Sequence, residues 1–328
     1  MKSAFVSCIA LAVAMPLAAQ ETKPFEAADL YRLSMVQEPV VAPDGARVAF
    51  SRTAFDIGTD RRTREIWLAT LDAKGVADQR LIAPGARSSA LWSPDGSRLA
   101  WTGDVAGKPQ LFVMTVAEGV ARAITSGKLA PEGAVWSPDG TRLAFTAQVD
   151  AAPAKLAGMP TKPEGAVWAP EPRVTSAFRY RSNEGGYRAA GYRHIFVVDA
   201  TGGEPRQVTR GDIDHVDPQG SVVWTRDGRA LIAVANRRAD ADLRGREADL
   251  WLVPLDGEAR QLTTADGVER EPQVSPDGKS IAYTGTPETP DFYVQDDLWV
   301  MPAGGGAARN LTSGRNNGAI TTSSSGHR

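Results

Sequence analysis

Three histidines are the first residues to weigh for chemistry: His194, His215 and His327. A Ser–His–Asp relay needs an imidazole held by a carboxylate beside a nucleophilic hydroxyl. His194 opens an apolar strand pattern, and His327 stands in a polar tail. His215 lies in Gly211-Asp212-Ile213-Asp214-His215-Val216-Asp217, a run whose carboxylates suit a cation by composition. The calcium-loop spacing fails there: Val216 stands where the third ligand belongs, and Asp217 replaces the glycine. The run reads as a solvated loop. A second acidic run, Asp240, Asp242, Glu247 and Asp249, is interrupted by Arg237, Arg238, Arg244 and Arg246. Mixed charge of this kind reads as an exposed hairpin kept soluble by pairing.

Between 172 and 193, Arg173, Arg179, Arg181, Arg188 and Arg193 interleave with Phe178, Tyr180, Tyr187 and Tyr192. Basic plus aromatic is the composition of a base-stacking surface. The whole chain, however, carries 37 Lys and Arg against 39 Asp and Glu, a formal charge of -2. It has no global field for nucleic acid. Gly185-Gly186 and Gly191 do not make the G-x-G-x-x-G phosphate cradle. The single cysteine, Cys8, excludes a disulfide framework and a Cys-based zinc site. The G-x-S-x-G pattern of a nucleophile elbow is absent. No catalytic, cofactor-binding or metal-binding residue is assigned.

The elements that would position any site come from a repeat. Trp-Ser-Pro-Asp-Gly stands at 92–96 and at 136–140. Variants stand at 41–45, 224–228 and 274–278. The aspartates are Asp44, Asp95, Asp139, Asp227 and Asp277, at intervals of 51, 44, 88 and 50. Each copy leads into an alternating strand such as Arg98-Leu99-Ala100-Trp101-Thr102 or Arg142-Leu143-Ala144-Phe145-Thr146. The proline presets a turn, the aspartate bonds its own backbone, and the glycine takes positive φ. A second half-unit interleaves, as in Leu111-Phe112-Val113-Met114 and Leu250-Trp251-Leu252-Val253. Short strands ending Ala123-Ile124-Thr125, Gln207-Val208-Thr209, Gln261-Leu262-Thr263 and Asn310-Leu311-Thr312 complete it. Four short antiparallel strands per repeat make one propeller blade.

The expected fold is therefore all-β: a β-propeller of four-stranded antiparallel blades, with about five legible in 39–314. The long interval holds one insertion, although Glu164 to Pro170 echoes Glu132 to Pro138 and leaves a degenerate sixth copy open. Most of the eight tryptophans fall at matching strand positions and read as wedges between sheets. Residues 315–328 are polar and unlike a blade, so the array reads as incomplete, an open arc whose ends expose apolar faces. Lys2, the apolar run Ala4–Leu17 and the small residues to Ala19 read as a signal peptide over 1–19. The 14-residue run is short for a membrane span. A lead-in segment, 20–38, follows. The expected location is the periplasm or outside the cell.

On these residues the chain resembles the prolyl oligopeptidase family of serine peptidases, in its dipeptidyl and acylaminoacyl peptidase branches. The more specific stretches are Phe25 to Gly45, with Asp29-Leu30, Val36 and Pro39, and Pro172-Arg173-Val174 through Asn183-Glu184-Gly185-Gly186-Tyr187 to Gln207-Val208-Thr209. The resemblance implies a propeller that gates short peptides into a C-terminal α/β-hydrolase domain carrying the Ser, Asp and His. None of those three maps onto a residue here, and the chain alone is expected to be inactive. The partners implied are that domain and short peptides, with no nucleic acid, no membrane span and no cofactor. A different class stays open: a self-standing periplasmic propeller that binds protein partners, like that of the Tol envelope system.

Overall fold

The computed structural model describes residues 24–152, 160–169, 174–175, 177–183, 186–218, 220–244, 247–265, 267–286 and 296–313. The proposed signal peptide, His327 and the polar tail lie outside them. A short 3-10 helix, Ala27–Arg32, precedes five four-stranded antiparallel sheets. Blade 1 holds β1 (Ser34–Val41), β2 (Arg47–Asp56), β3 (Arg61–Asp72) and β4 (Gly75–Pro84). Blade 2 holds β5 (Leu91–Trp92), β6 (Arg98–Val105), β7 (Lys108–Thr115) and β8 (Val120–Ala123). Blade 3 begins with β9 (Glu132–Trp136) and β10 (Arg142–Asp150). A separate hairpin, β11 (Arg181–Ser182) and β12 (Gly186–Tyr187), interrupts it before β13 (Gly191–Asp199) and β14 (Arg206–Gln207). Blade 4 is β15 (Val222–Trp224), β16 (Ala230–Ala235), β17 (Asp249–Pro254) and β18 (Arg260–Gln261). Blade 5 is β19 (Val268–Val274), β20 (Ser280–Thr286), β21 (Asp297–Pro302) and β22 (Arg309–Asn310).

The long repeat interval is thus an insertion between the second and third strands of blade 3. Residues 160–169 form no strand, and Val167 is 97% exposed, so the echo at 164–170 is not a sixth blade.

Each turn after a first strand is built from its own aspartate. Asp44, Asp95, Asp139, Asp227 and Asp277 each accept the N–H two residues on, at 2.9–3.1 Å. Gly96 and Gly140 sit at φ 68° and 67°, in the left-handed region that favours glycine. Hydroxyl donors from Ser93 and Ser137 reach the same carboxylates. Those bonds help to hold the pKa values of Asp95 and Asp139 down to about 2.

The alternation has a structural reason that the sequence alone does not display. Strand β16 is buried on both faces. Alternate residues feed two different cores. Leu231 and Ala233 face blade 3, while Ile232 and Val234 face blade 5. The same split holds in β13, where Phe196 and Val198 face blade 2 and Ile195 and Val197 face blade 4. Four such seams join five blades in sequence. Among the described residues no apolar cluster joins blade 5 to blade 1, so the array is an open arc.

The repeat motif also locks the seams. Trp92, Trp136 and Trp224 donate their indole N–H back to the carbonyls of Val40, Leu91 and Val135 in the preceding blade, at 2.9–3.2 Å. Arg47, Arg98 and Arg142 reach forward to the carbonyls of Gly96, Gly140 and Gly228, at 2.6–3.1 Å. Each guanidinium lies 5.0–5.2 Å from the tryptophan ring of that next blade. Pro43, Pro94 and Pro138 pack beneath the same three glycines.

Trp92, Trp136 and Trp224 are therefore seam clamps as well as wedges packed at the seam cores. Trp101 and Trp224 are buried, Trp92 and Trp136 are half-buried, and Trp168 in the insertion is 40% exposed. Their hydrogen-bonding edge has to stay within reach of a backbone carbonyl at the seam rim, which keeps the ring from the centre. Trp136→Ala should lower stability by ~3 kcal/mol, through lost ring burial and an orphaned contact with Arg98. Arg98→Ala should cost about 1 kcal/mol. Urea midpoints test both values. An unchanged midpoint for Trp136→Ala would mean the clamp carries no stability.

Candidate functional site

The five blades place their Asp–Gly turns on one face of the arc. The second-to-third strand connections and the links between blades lie on the opposite face. Each face holds one arrangement of interest.

On the Asp–Gly face, first strands converge on a groove of about 280 Å³. Its walls include Trp136, Pro138, Trp224, Val274 and Pro276, with the exposed Arg226 at its edge. The groove can hold an apolar group and offers one cation. The nearby Ser93 and Ser137 hydroxyls are committed to their turns: each donates to Asp95 or Asp139 and accepts the N–H of Arg98 or Arg142. No histidine serves either as a base, so neither is an activated nucleophile.

The opposite face carries buried ionisable groups at two seams. At the blade 3–4 seam, the rings of His194 and His215 lie 5.1 Å apart and are 3% and 6% exposed. His215 Nε2 is 2.8 Å from the carbonyl of Arg210. Burial, helped by neighbouring Arg237, lowers its pKa to about 4. Gly211, Asp212 and Ile213 are exposed but His215 and Val216 are buried, so the run is only partly the solvated loop expected from the sequence. Val216, 1% exposed, anchors it in the seam core and draws the imidazole under cover. Asp217 is pushed up to about 6, mainly by burial.

His194 has a structural partner. Its Nδ1 lies 3.2 Å from Thr209 Oγ1, which accepts the N–H of Ile195. The same device recurs in other blades. Thr125, Thr263 and Thr312 accept the N–H groups of Leu111, Leu250 and Leu298. The signal was present in the sequence as the threonine closing each fourth strand. What it ties is the blade, and no proton relay forms at His194.

The second acidic run is only partly the exposed, paired hairpin expected. Arg244 does bridge Asp240 and Glu247, at 2.7 and 2.9 Å. Asp242 accepts the backbone N–H groups of Phe178 and Arg179, tying the blade 3 insertion to blade 4. Glu247 and Asp249, however, are 6% and 2% exposed, beside Arg238 at 3.3 and 3.9 Å. Asp249 opens β17, and that strand start is covered by blade 5. Sequence reasoning missed Glu269, which is fully buried on β19 and accepts Thr263 Oγ1 at 2.9 Å. Burial pushes Glu269 up to about 8, so it is a neutral acid at pH 7. Among the described residues no group of three or more His, Cys, Asp or Glu side chains is arranged to hold a metal.

The basic and aromatic segment also takes a structural place. Arg181 lies 5.6 Å from the Tyr187 ring, and Tyr180 and Tyr187 pack at 6.0 Å on the small hairpin. Arg193 pairs with Glu132 at 2.6 Å. The described part of the segment holds a separate two-stranded sheet within the blade 3 insertion. No helix among the described residues is long and apolar enough to cross a membrane.

Residues 30–163 match the family described as TolB beta propeller domain. Solved peptidase structures share this fold. The Pyrococcus horikoshii acylaminoacyl peptidase superposes at a TM-score of 0.63 with 16% identity, over 86% of this chain and 40% of its own. The propeller domain of the trilobed protease from Pyrococcus furiosus, described as having an open velcro topology, gives 0.55 with 14% identity, over 87% of this chain and 73% of its own. The Bacillus subtilis (strain 168) protein "Uncharacterized peptidase YuxL" is 27% identical over 234 residues. That match covers 69% of this chain and 33% of YuxL, so this chain spans about a third of that relative.

Glu269 sets the pH response of the blade 4–5 seam. Its folded pKa is raised, so the folded state holds a proton that the unfolded chain has released. Stability is lost as pH rises from about 4.5 towards about 8. Thr263, Asp249, Arg238 and Tyr283 are the groups acting on it. Glu269→Gln should flatten this slope and raise stability at pH 8 by on the order of 1–3 kcal/mol. Denaturant melts at pH 5 and pH 8 measure it. An equal slope in both proteins would show that Glu269 ionises freely.

Proposed function

We propose that this chain is the non-catalytic propeller portion of an exported serine peptidase acting on short peptides. In that reading it gates substrate entry to an α/β-hydrolase domain that supplies the Ser, His and Asp. The observation that carries it is the sequence match to a peptidase over 69% of the chain, together with the propeller likeness to acylaminoacyl peptidases. If further blades completed the arc to a ring, the ring would admit an extended peptide along its axis and reject a folded protein by size. The apolar first-strand groove is where a peptide side chain would rest on the way. The proposed signal peptide, cleaved after Ala19, would place the chain in the periplasm or outside the cell.

The chain alone should not hydrolyse acyl-peptide chromogenic substrates, and a fluorophosphonate probe should not label it. Stoichiometric labelling of a serine would overturn the non-catalytic assignment. Joined to its hydrolase domain, the peptidase should cleave short peptides and spare folded proteins. Deleting the propeller should relax that size limit. Retained discrimination after deletion would remove the gating role. If the gene continues into no hydrolase, the self-standing Tol-like binding module becomes the better reading. For the exported protein, mass spectrometry should find Gln20 at the mature N-terminus.

A further inference from the structure

We infer that the groove on the Asp–Gly face is a receptor for the C-terminal residue of a peptide. Arg226 takes the terminal carboxylate, and the cleft between Trp136 and Trp224 takes an apolar side chain on the same residue. This rests on the peptidase reading for the short peptides that would supply such an end; the binding itself is a property of this chain.

Arg226 departs from the repeat. The residue before the turn aspartate is proline in four copies, Pro43, Pro94, Pro138 and Pro276, and arginine only in blade 4. Proline there serves the fold, since Pro43, Pro94 and Pro138 pack against the glycine of the next blade. The stem of Arg226 takes over that packing: a Cβ on Gly278 would stand 2.8 Å from Arg226 Cβ. The guanidinium is thus an addition that the seam does not use. It is exposed, and among the described residues it has no ion pair or hydrogen bond.

Its surroundings suit an anion with an apolar body. The groove holds about 280 Å³, and its walls include Trp136, Trp224, Val274 and Pro276. The other polar side-chain groups of the lining are committed. The indoles of Trp136 and Trp224 donate to the carbonyls of Leu91 and Val135. Ser275 Oγ donates to Asp277 and accepts the N–H of Ser280. Among the lining side chains only Arg226 offers donors to a ligand. The guanidinium groups of Arg98 and Arg142 lie 5.0 and 5.2 Å from the rings of Trp136 and Trp224, which adds positive charge beside both aromatic walls. The turn carboxylates on this face, Asp139, Asp227 and Asp277, are occupied by the hydrogen bonds of their own turns.

The chemistry then selects the ligand. A guanidinium holds a carboxylate through paired N–H donors. The apolar walls require hydrocarbon beside it. Within a peptide, an aspartate or glutamate side chain brings a carboxylate without an apolar group, and an internal leucine or phenylalanine brings the reverse. Only the last residue carries both on one Cα.

Titration of the full chain, followed by tryptophan fluorescence and by calorimetry, tests this with three capped peptides. They are acetyl-Gly-Ala-Ala-Phe as the free acid, the same peptide as its C-terminal amide, and acetyl-Gly-Ala-Ala-Gly as the free acid. The acid ending in phenylalanine should bind saturably. The amide and the glycine-ended acid should each bind about tenfold or more weakly. Arg226→Pro restores the residue that the repeat uses elsewhere. It should bring the phenylalanine acid down to the affinity of its amide and leave the amide unchanged. Arg226→Gln makes the same comparison if the proline variant fails to fold by circular dichroism. Equal binding of acid and amide would overturn the proposal. So would a wild-type chain that does not bind the phenylalanine acid, or a folded Arg226 variant that binds it like wild type. The assay measures binding and needs no hydrolysis, so its outcome is separate from that of the peptidase reading. A carboxylate-selective groove on a chain whose gene continues into no hydrolase would keep this site and remove that reading.

Discussion

The arc depends on a bond that runs between blades: the tryptophan that ends one first strand donates to the backbone of the blade before it. Around that bond the rest of the motif makes sense. Proline and arginine of the same turn point the other way, onto the glycine of the blade after. A seven-residue stretch, Trp92–Arg98 or Trp136–Arg142, thus holds both neighbours at once. The hairpin's own needs explain Asp and Gly. The neighbours explain Trp, Pro and the arginine three residues past the aspartate. Where the clamp residues change, at the fourth seam, Val274 and Ala230 replace the tryptophan and the arginine. That seam instead packs Arg226 against Gly278 and buries Glu269 beside Thr263.

Much of this was legible in the amino-acid sequence, and the reason is geometric. A hairpin turn is local, so Asp44, Asp95, Asp139, Asp227 and Asp277 announce every blade without any tertiary information. The threonines at 125, 209, 263 and 312 announce the fourth strands in the same way. Burial across a seam is not local. His215, Glu247, Asp249 and Glu269 sit in polar stretches, and only the neighbouring blade covers them. Their sequence context resembles solvated loops because the covering residues come from a repeat about fifty positions away. The arginines at 47, 98 and 142 were visible as a period, but their acceptors are backbone carbonyls, which a sequence does not display.

The candidate chemistry resolves in the same terms. Histidine and carboxylate occur together on the insertion face, yet the geometry gives His194 to a threonine and His215 to a carbonyl. Serine and carboxylate occur together on the Asp–Gly face, yet each pair closes its own turn. Nucleophile, base and acid are distributed over two opposite faces. An arrangement of this kind can position and select a ligand, and the proposed hydrolase partner would have to bring the bond-breaking groups.

The insertion in blade 3 has a consequence for how such a protein can change. Asp150 and Gly191 are paired across neighbouring strands, and the N–H of Ala151 bonds the carbonyl of Ala190. Gly191 is fixed at φ 145° with Val149 O only 2.3 Å from where a Cβ would stand, so this gateway tolerates no side chain there. The two ends of the excursion are held side by side whatever lies between them. Lengthening it adds only a slowly growing loop-closure entropy. The gateway is thus a natural splice point, at which evolution or an engineer can exchange one appendage for another without touching the register of a single blade.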